Sequence, residues 1–311
     1  MRGSLNRAGH GLGVSQNWSR YLAIYADRSI IVLNKPPHLV CQPSQSILLT
    51  CSTVGLSPAS SNGVSSLTSF FQDLKARFQL REAPYTVHRL DKSTTGLLVL
   101  GKNTVSARQL SQQFQSREVT KTYLALVRGG EKSFPERSGE IRDALEFNDG
   151  RVSVSDSCNA KFAATDWELI ASSPKAPLSL LRLTLHTGLK HQLRVHLAHS
   201  LHTPILGDPM YTRSAISDKI ARITRVPEDR IFLHASRLCL SRYRKTGSNK
   251  HFRLEIAVAL PRDFVAICRS VDIPLDKWDL SGGLFVDGEP AGMEITDLDG
   301  KWLVPGQHTT H

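Results

Sequence analysis

The 311 residues suffice for one large domain or two ordinary ones, and their 40% hydrophobic content marks a chain that buries a real core. No apolar run approaches the roughly 20 residues of a membrane span. Lys and Arg number 39 against 28 Asp and Glu, a net charge of +11 spread along the chain, which favours a polyanionic partner, nucleic acid ahead of membrane.

Residues 1–26 carry Arg2, Arg7 and Arg20 and no acid before Asp27. That resembles an organellar, mitochondrial targeting segment; cytoplasmic residence is the alternative. Ser29 to Asn34 reads as a strand from its β-branched run, ended by Lys35-Pro36-Pro37. Residues 43–66, rich in Ser, Thr, Gly and Pro, read as an irregular loop. A helix follows over Ser66 to Gln79, with Leu67, Phe70, Phe71, Leu74 and Phe78 on one stripe.

Val87 to Lys102 is the stretch the rest of the chain serves. It opens on His88-Arg89-Leu90-Asp91-Lys92 and closes on Leu97-Leu98-Val99-Leu100, an apolar run of buried-strand type. A carboxylate among cations at the mouth of a buried strand is held ionised, which suits a nucleophile or base. A turn cap is the plainer role for the same Asp91. A helix over Val105 to Ser116 comes next, then a strand over Lys121 to Val127 that carries Tyr123. Tyr123 is either core or a flat face for a base.

Residues 131–177 read as short strands with polar turns. Leu181, Leu183 and Leu185 alternate with polar residues as a half-buried strand. A helix over His191 to Ser200 follows. Lys190, His191 and Arg194 lie at its start, where backbone N–H groups attract anions. Pro204 to Pro209 is a turn-rich connection and 215–230 a charged insertion. Phe252 to Val258 alternates again, and the last forty residues read as short hairpins. Strands outnumber helices without strict alternation. The expected class is α+β with a mixed, largely antiparallel sheet.

Five histidines crowd one region: His186, His191, His196, His199 and His202. Their spacing is not that of a zinc helix, and the helical ones spread around the axis, so they read as solvated or RNA-facing. The five cysteines are odd in number, scattered and outside any C-x-x-C, which fits a reduced intracellular compartment. No glycine-rich phosphate cradle and no nucleophile elbow occurs.

Seven blocks, in order, resemble the RluA family of pseudouridine synthases: Asp27 to Pro37, His88 to Leu100, Lys121 to Gly129, Thr187 to His199, His202 to Tyr211, Leu233 to Leu238 and Leu260 to Phe264. The resemblance implies a catalytic domain over 27–270, flanked by an extension over 1–26 and another over 271–311. It implies isomerisation of uridine in RNA, with ribosomal RNA expected and transfer RNA the alternative. It implies no metal and no organic cofactor. Asp91 resembles the catalytic aspartate, Tyr123 the tyrosine against the target base, and Arg194 the arginine that pairs with the aspartate. His88, Arg89, Lys92, Lys121, Lys190 and His191 are the expected RNA contacts. The expected state is a monomer with no membrane attachment. The sequence leaves open whether Asp91 attacks C1′ or acts as a base at C2′.

Two positions depart from the family pattern. Leu189 stands where arginine is usual, and Pro37-His38 replaces a usual glycine. A non-catalytic RNA-binding or ribosome-assembly factor is the reading from a different class.

Overall fold

The computed structural model describes residues 22–40, 62–212, 215–227, 229–246 and 250–304. Residues 1–21 and most of the loop expected over 43–66 lie outside that range. The described chain opens with β1 (Ala23–Ala26), β2 (Ile30–Lys35) and α1 (Asn62–Arg77). Then come β3 (Tyr85–Thr86), β4 (Thr95–Gly101), α2 (Thr104–Gln115) and β5 (Thr120–Arg128). The segment 131–177, expected to hold short strands, forms the long β6 (Ser138–Asn148), the short β7 (Arg151–Val154) and the long β8 (Lys161–Ser172), and the strand expected at Leu181 to Leu185 is β9 (Leu178–Leu185).

The helix expected over 191–200 divides into α3 (Gln192–Val195) and a π-helical turn at His196–Ser200. The charged insertion holds α4 (Asp218–Thr224). β10 (Leu233–Tyr243), β11 (His251–Ala257), α5 (Arg262–Ser270) and α6 (Lys277–Ser281) complete the body. β12 (Gly283–Val286), β13 (Glu289–Ala291), β14 (Glu294–Ile295) and β15 (Gly300–Trp302) end it. The terminal strands join the same sheet, β12 on β11 and β15 on β1.

One sheet runs β14-β15-β1-β2-β4-β10-β5-β9-β8-β6-β7. Only the β4–β10 pairing is parallel among the described strands. The fold is therefore α+β on a mixed, largely antiparallel sheet, as the element pattern predicts.

β4 is buried at all seven positions because both faces of the sheet are covered. Successive side chains alternate. Leu98 and Leu100 join Phe70 and Leu74 of α1 on one face, while Leu97 and Val99 join Leu110 of α2 on the other. Farther along, Leu124 and Leu126 of β5 pack on Phe264 and Ile267 of α5. Gly96 permits the one parallel contact. Its φ is +109°, and a Cβ there would lie 2.3 Å from the Ala235 carbonyl oxygen.

Two histidines are walled into this core, His196 and His234, each fully buried with Nδ1 2.9 Å from a threonine Oγ1. For His196 this corrects the expectation that the helical histidines face solvent or RNA; His191 and His199 are partly exposed. Burial pushes His196 down to about 4 and His234 to about 3. Both are neutral when folded, whereas the unfolded chain protonates them below about pH 6.5. Their depressed folded values make stability fall as pH drops through that point. From pH 7 to pH 5 these two contribute an expected loss of roughly 3–4 kcal/mol, to which His88, pushed down to about 3 in the same way, adds about half as much again, read by urea unfolding at the two values. Equal stability at both would contradict it.

Candidate active site

The Asp91 loop joins β3 to β4 and is pinned from several sides. Leu90 sinks into the core beneath α1. The Thr94 amide donates to the Asp91 carbonyl at 3.1 Å, closing a turn. His88 holds the loop's entry: its Nε2 accepts from the Val99 amide at 2.8 Å, and its ring stacks on Phe114 of α2 at 4.6 Å. Burial, with the Lys121 charge adding, pushes His88 down to about 3. It is a neutral acceptor that holds β4 rather than a cation.

Lys35, at the end of β2, clamps the loop from below. It is fully buried, and its Nζ donates to the carbonyls of Pro36, Leu39 and Lys92 at 2.9–3.0 Å. The His38 amide also donates to the Lys92 carbonyl at 2.8 Å. His38 takes φ 68°, a left-handed conformation, at the position where the resemblance expects glycine nearby. Lys35→Met keeps the volume of the stem and removes the Lys35 donor from the Pro36 and Leu39 carbonyls, while the Lys92 carbonyl keeps only the His38 amide. The expected cost is about 2–4 kcal/mol, seen as a lowered urea midpoint. An unchanged midpoint would show that the clamp is unimportant.

The facing wall is the segment from Gly188 into α3. Gln192 fixes it. Its Oε1 accepts from Thr187 Oγ1 and the Leu189 amide, and its Nε2 donates to Ala164 O and Thr165 Oγ1 on β8, all within 2.8–3.1 Å. His191 caps the helix at φ 53° and meets the Tyr211 hydroxyl through Nδ1 at 2.8 Å. Burial lowers its pKa against the pull of Asp91, while Arg194 and Lys190 add to the lowering.

Arg194 is 5% exposed, and its ion-pair partner is Asp208 rather than Asp91. This corrects the pairing implied by the resemblance. Nε and Nη2 donate to the two Asp208 oxygens at 2.7 and 2.8 Å, and the guanidinium lies 5.0 Å from the Tyr211 ring centre. Burial opposes the Arg194 charge, but the Asp208 hydrogen bonds and charge outweigh it, Asp91 contributes, and the pKa ends raised. Asp208 also accepts from the Met210 and Tyr211 amides at 2.9 and 3.3 Å. Sequence reading missed Asp208, Tyr211 and Gln192. Asp208 and Tyr211 stand in one of the quoted blocks, but a contact fourteen residues from Arg194 across a turn has no periodic signal.

The structure brings Asp91, Tyr123 and Arg194 to one cleft, with Arg89, Lys190 and His191 also on its walls. Asp91 is half-buried, and among the described residues its carboxylate has no hydrogen bond or ion pair. Tyr123 is 8% exposed, rooted in the core beside Leu183. Lys190 is exposed and places Nζ 4.1 Å from the Phe147 ring centre. Lys121 lines the neighbouring groove and Lys92 is exposed on the loop; Lys92 lines neither. Leu189 packs against the buried cluster that holds Val152, Val195 and Tyr211, so the departure from arginine is an apolar wall contact. Among the described residues no group of three or more His, Cys, Asp or Glu is arranged to hold a metal ion, and no helix is long and apolar enough to cross a membrane.

Comparisons with known proteins converge on this region. A family model described as RNA pseudouridylate synthase matches residues 29–199. The ribosomal large subunit pseudouridine synthase D of Borreliella burgdorferi is 35% identical over 216 residues, 69% of this chain and 59% of that protein. The mitochondrial pseudouridylate synthase RPUSD4 of Bos taurus is 32% identical over 207 residues, 61% of this chain and 51% of that protein. The chain thus spans less than two thirds of the length of either relative. The solved structure of human RNA pseudouridylate synthase domain containing 4 superposes with a TM-score of 0.61 at 25% identity, covering 82% of this chain and 94% of that one. The matched segment is more than half the chain and holds the loop of Asp91, the strand of Tyr123 and the helix of Arg194, and the chain belongs to the RNA pseudouridylate synthase family.

Proposed function

We propose that this protein isomerises uridine to pseudouridine in structured RNA, with ribosomal RNA as the substrate and the mitochondrion as the compartment, acting as a monomer. The observation that carries the reading is an Asp91 carboxylate without a bonded partner, set in a cleft with a buried guanidinium and a phenol. The names of the relatives support ribosomal RNA and, through RPUSD4, the mitochondrion.

The reaction breaks the C1′–N1 bond and forms a C1′–C5 bond. A proton leaves C5 and one arrives at N1, so nothing is oxidised and no second substrate enters. The uridine must first leave its stack, at a cost of a few kcal/mol. Contacts of the basic cleft with phosphates offset part of that cost. Asp91, charged and without a bonded partner, attacks C1′ or takes the C2′ proton; both routes need the same open carboxylate. Arg194, locked by Asp208, keeps positive charge beside it. Tyr123 faces the detached uracil while it turns, and its phenol is placed to take part in proton removal at C5.

Pseudouridine mapping across the RNA of cells lacking this chain tests the reading. The expected result is loss of one or a few sites in large-subunit ribosomal RNA, restored by the wild-type chain and not by Asp91→Ala. Loss in transfer RNA instead would reassign the substrate. An unchanged map, or rescue by Asp91→Ala, would overturn the enzymatic reading in favour of an assembly factor.

A further inference from the structure

Beside the Asp91 cleft lies a wider groove of about 630 Å³, within the range of small-ligand sites. The two share Arg89, Tyr123, Leu185, Gly188 and Leu189, so they are continuous. No Asp or Glu lines the groove, while Arg89, Arg117, Lys121 and Lys161 do. Among the described residues none of these four cations is in an ion pair. Lys121 is crowded by Arg117, and its Nζ is the atom nearest to Gly188, 3.9 Å from where a Cβ would stand. A Cβ at position 188 would thus meet the ammonium at the seam between the two spaces.

Phe162 stands on the same groove, at the start of β8 and 58% exposed. Among the described residues no other ring stacks on it and no cation lies over its face, unlike Phe147, which Lys190 covers. A single exposed ring is normal at a protein surface, and one set apart on a groove lined by cations is a poor protein-docking patch. It is, however, the pairing used for unpaired nucleic acid: a ring for the base and cations for its phosphates.

We propose that this groove is a subsite for the unpaired nucleotide adjacent to the target uridine. Its base stacks on Phe162, and the phosphodiester joining it to the uridine lies against Lys121 and Arg117. This inference rests on the RNA reading above. It also gives Phe162 a positioning role: a flanking base held there fixes where the uridine enters the Asp91 cleft.

The test uses a short single-stranded RNA with one uridine and 2-aminopurine on either side of it, titrated with the full chain. Stacking should quench 2-aminopurine at one of the two positions. Phe162→Ala should abolish the quench and weaken binding roughly ten- to a hundred-fold, while Phe162→Trp retains both. In turnover, Phe162→Ala should raise KM and leave kcat nearly unchanged, with the thermal midpoint as in wild type. Quenching or affinity unaltered by Phe162→Ala, with isomerisation intact, overturns the subsite alone. Phe162-dependent quenching together with an unchanged pseudouridine map in cells lacking the chain upholds the subsite and sinks the enzymatic reading. No RNA binding by the wild-type chain overturns both.

Discussion

Asparagine in place of Asp91 is expected to lower the single-turnover rate of pseudouridine formation by on the order of 10⁴-fold or more, the scale seen when a nucleophile is removed. The fold should be untouched, because among the described residues the carboxylate holds no hydrogen bond or ion pair that the substitution could break. RNA affinity should stay within a few-fold or improve. The change deletes one negative charge from a cleft whose other charged walls are Arg89, Lys190 and Arg194, and phosphate is attracted more strongly to what remains. The combination is diagnostic: chemistry lost, binding and stability kept. A variant that lost affinity and rate together would show Asp91 to be a structural cap.

Asp208→Asn should act in the opposite manner. The carboxylate side chain is 1% exposed and accepts both guanidinium bonds of Arg194, so the substitution strands a buried charge. Breaking one side of such a pair costs about 3–5 kcal/mol. The two loop amides at Met210 and Tyr211 keep an amide oxygen as acceptor, so the loss falls mainly on Arg194. The measurement is urea unfolding together with kcat. Stability should drop by that amount, and kcat should fall as Arg194 leaves its place beside Asp91. Arg194→Lys should reproduce the kcat defect, since an ammonium cannot make the bidentate contact. Wild-type stability in Asp208→Asn would mean that the pair is solvated and not the anchor described here.

The two anchors differ in how far the sequence reveals them. Asp91 and Tyr123 are picked out by the blocks that resemble the RluA family; by pattern alone Asp91 fits a turn cap as well, and Tyr123 sits in a continuous apolar run where it reads equally as core. Arg194 is legible as a residue, but its partner is not. Asp208 follows a turn after the π-helical segment, and only folding sets it against α3.

The same limit explains the strands. β2, β5 and β9 announce themselves by apolar runs or alternation. β10 pairs with β4, β5 and β11, yet Leu233 to Tyr243 carries His234, Ser236 and Arg237 where a plain core strand would be apolar. The structure buries His234 and Ser236 with hydrogen bonds to Thr95 and to the Thr122 carbonyl, which cannot be read from a pattern of hydrophobicity. β6 and β8 read as fragments for another reason. β6 lies near an edge of the sheet, with most of its positions at least partly exposed, so eleven residues of continuous strand look polar. The His191 to Ser200 segment has helical spacing, but the widened turn at His196 leaves no mark in side-chain periodicity.

The most direct measurement is a structure of the chain bound to RNA in which the target uridine carries fluorine at C5, which blocks proton loss there and holds the reaction before completion. The account predicts C1′ or the C2′ hydrogen of that nucleotide within about 3.5 Å of an Asp91 carboxylate oxygen, its base against Tyr123, and Arg194 still on Asp208. A bound nucleotide seated elsewhere, with Asp91 turned away from its sugar, would contradict it.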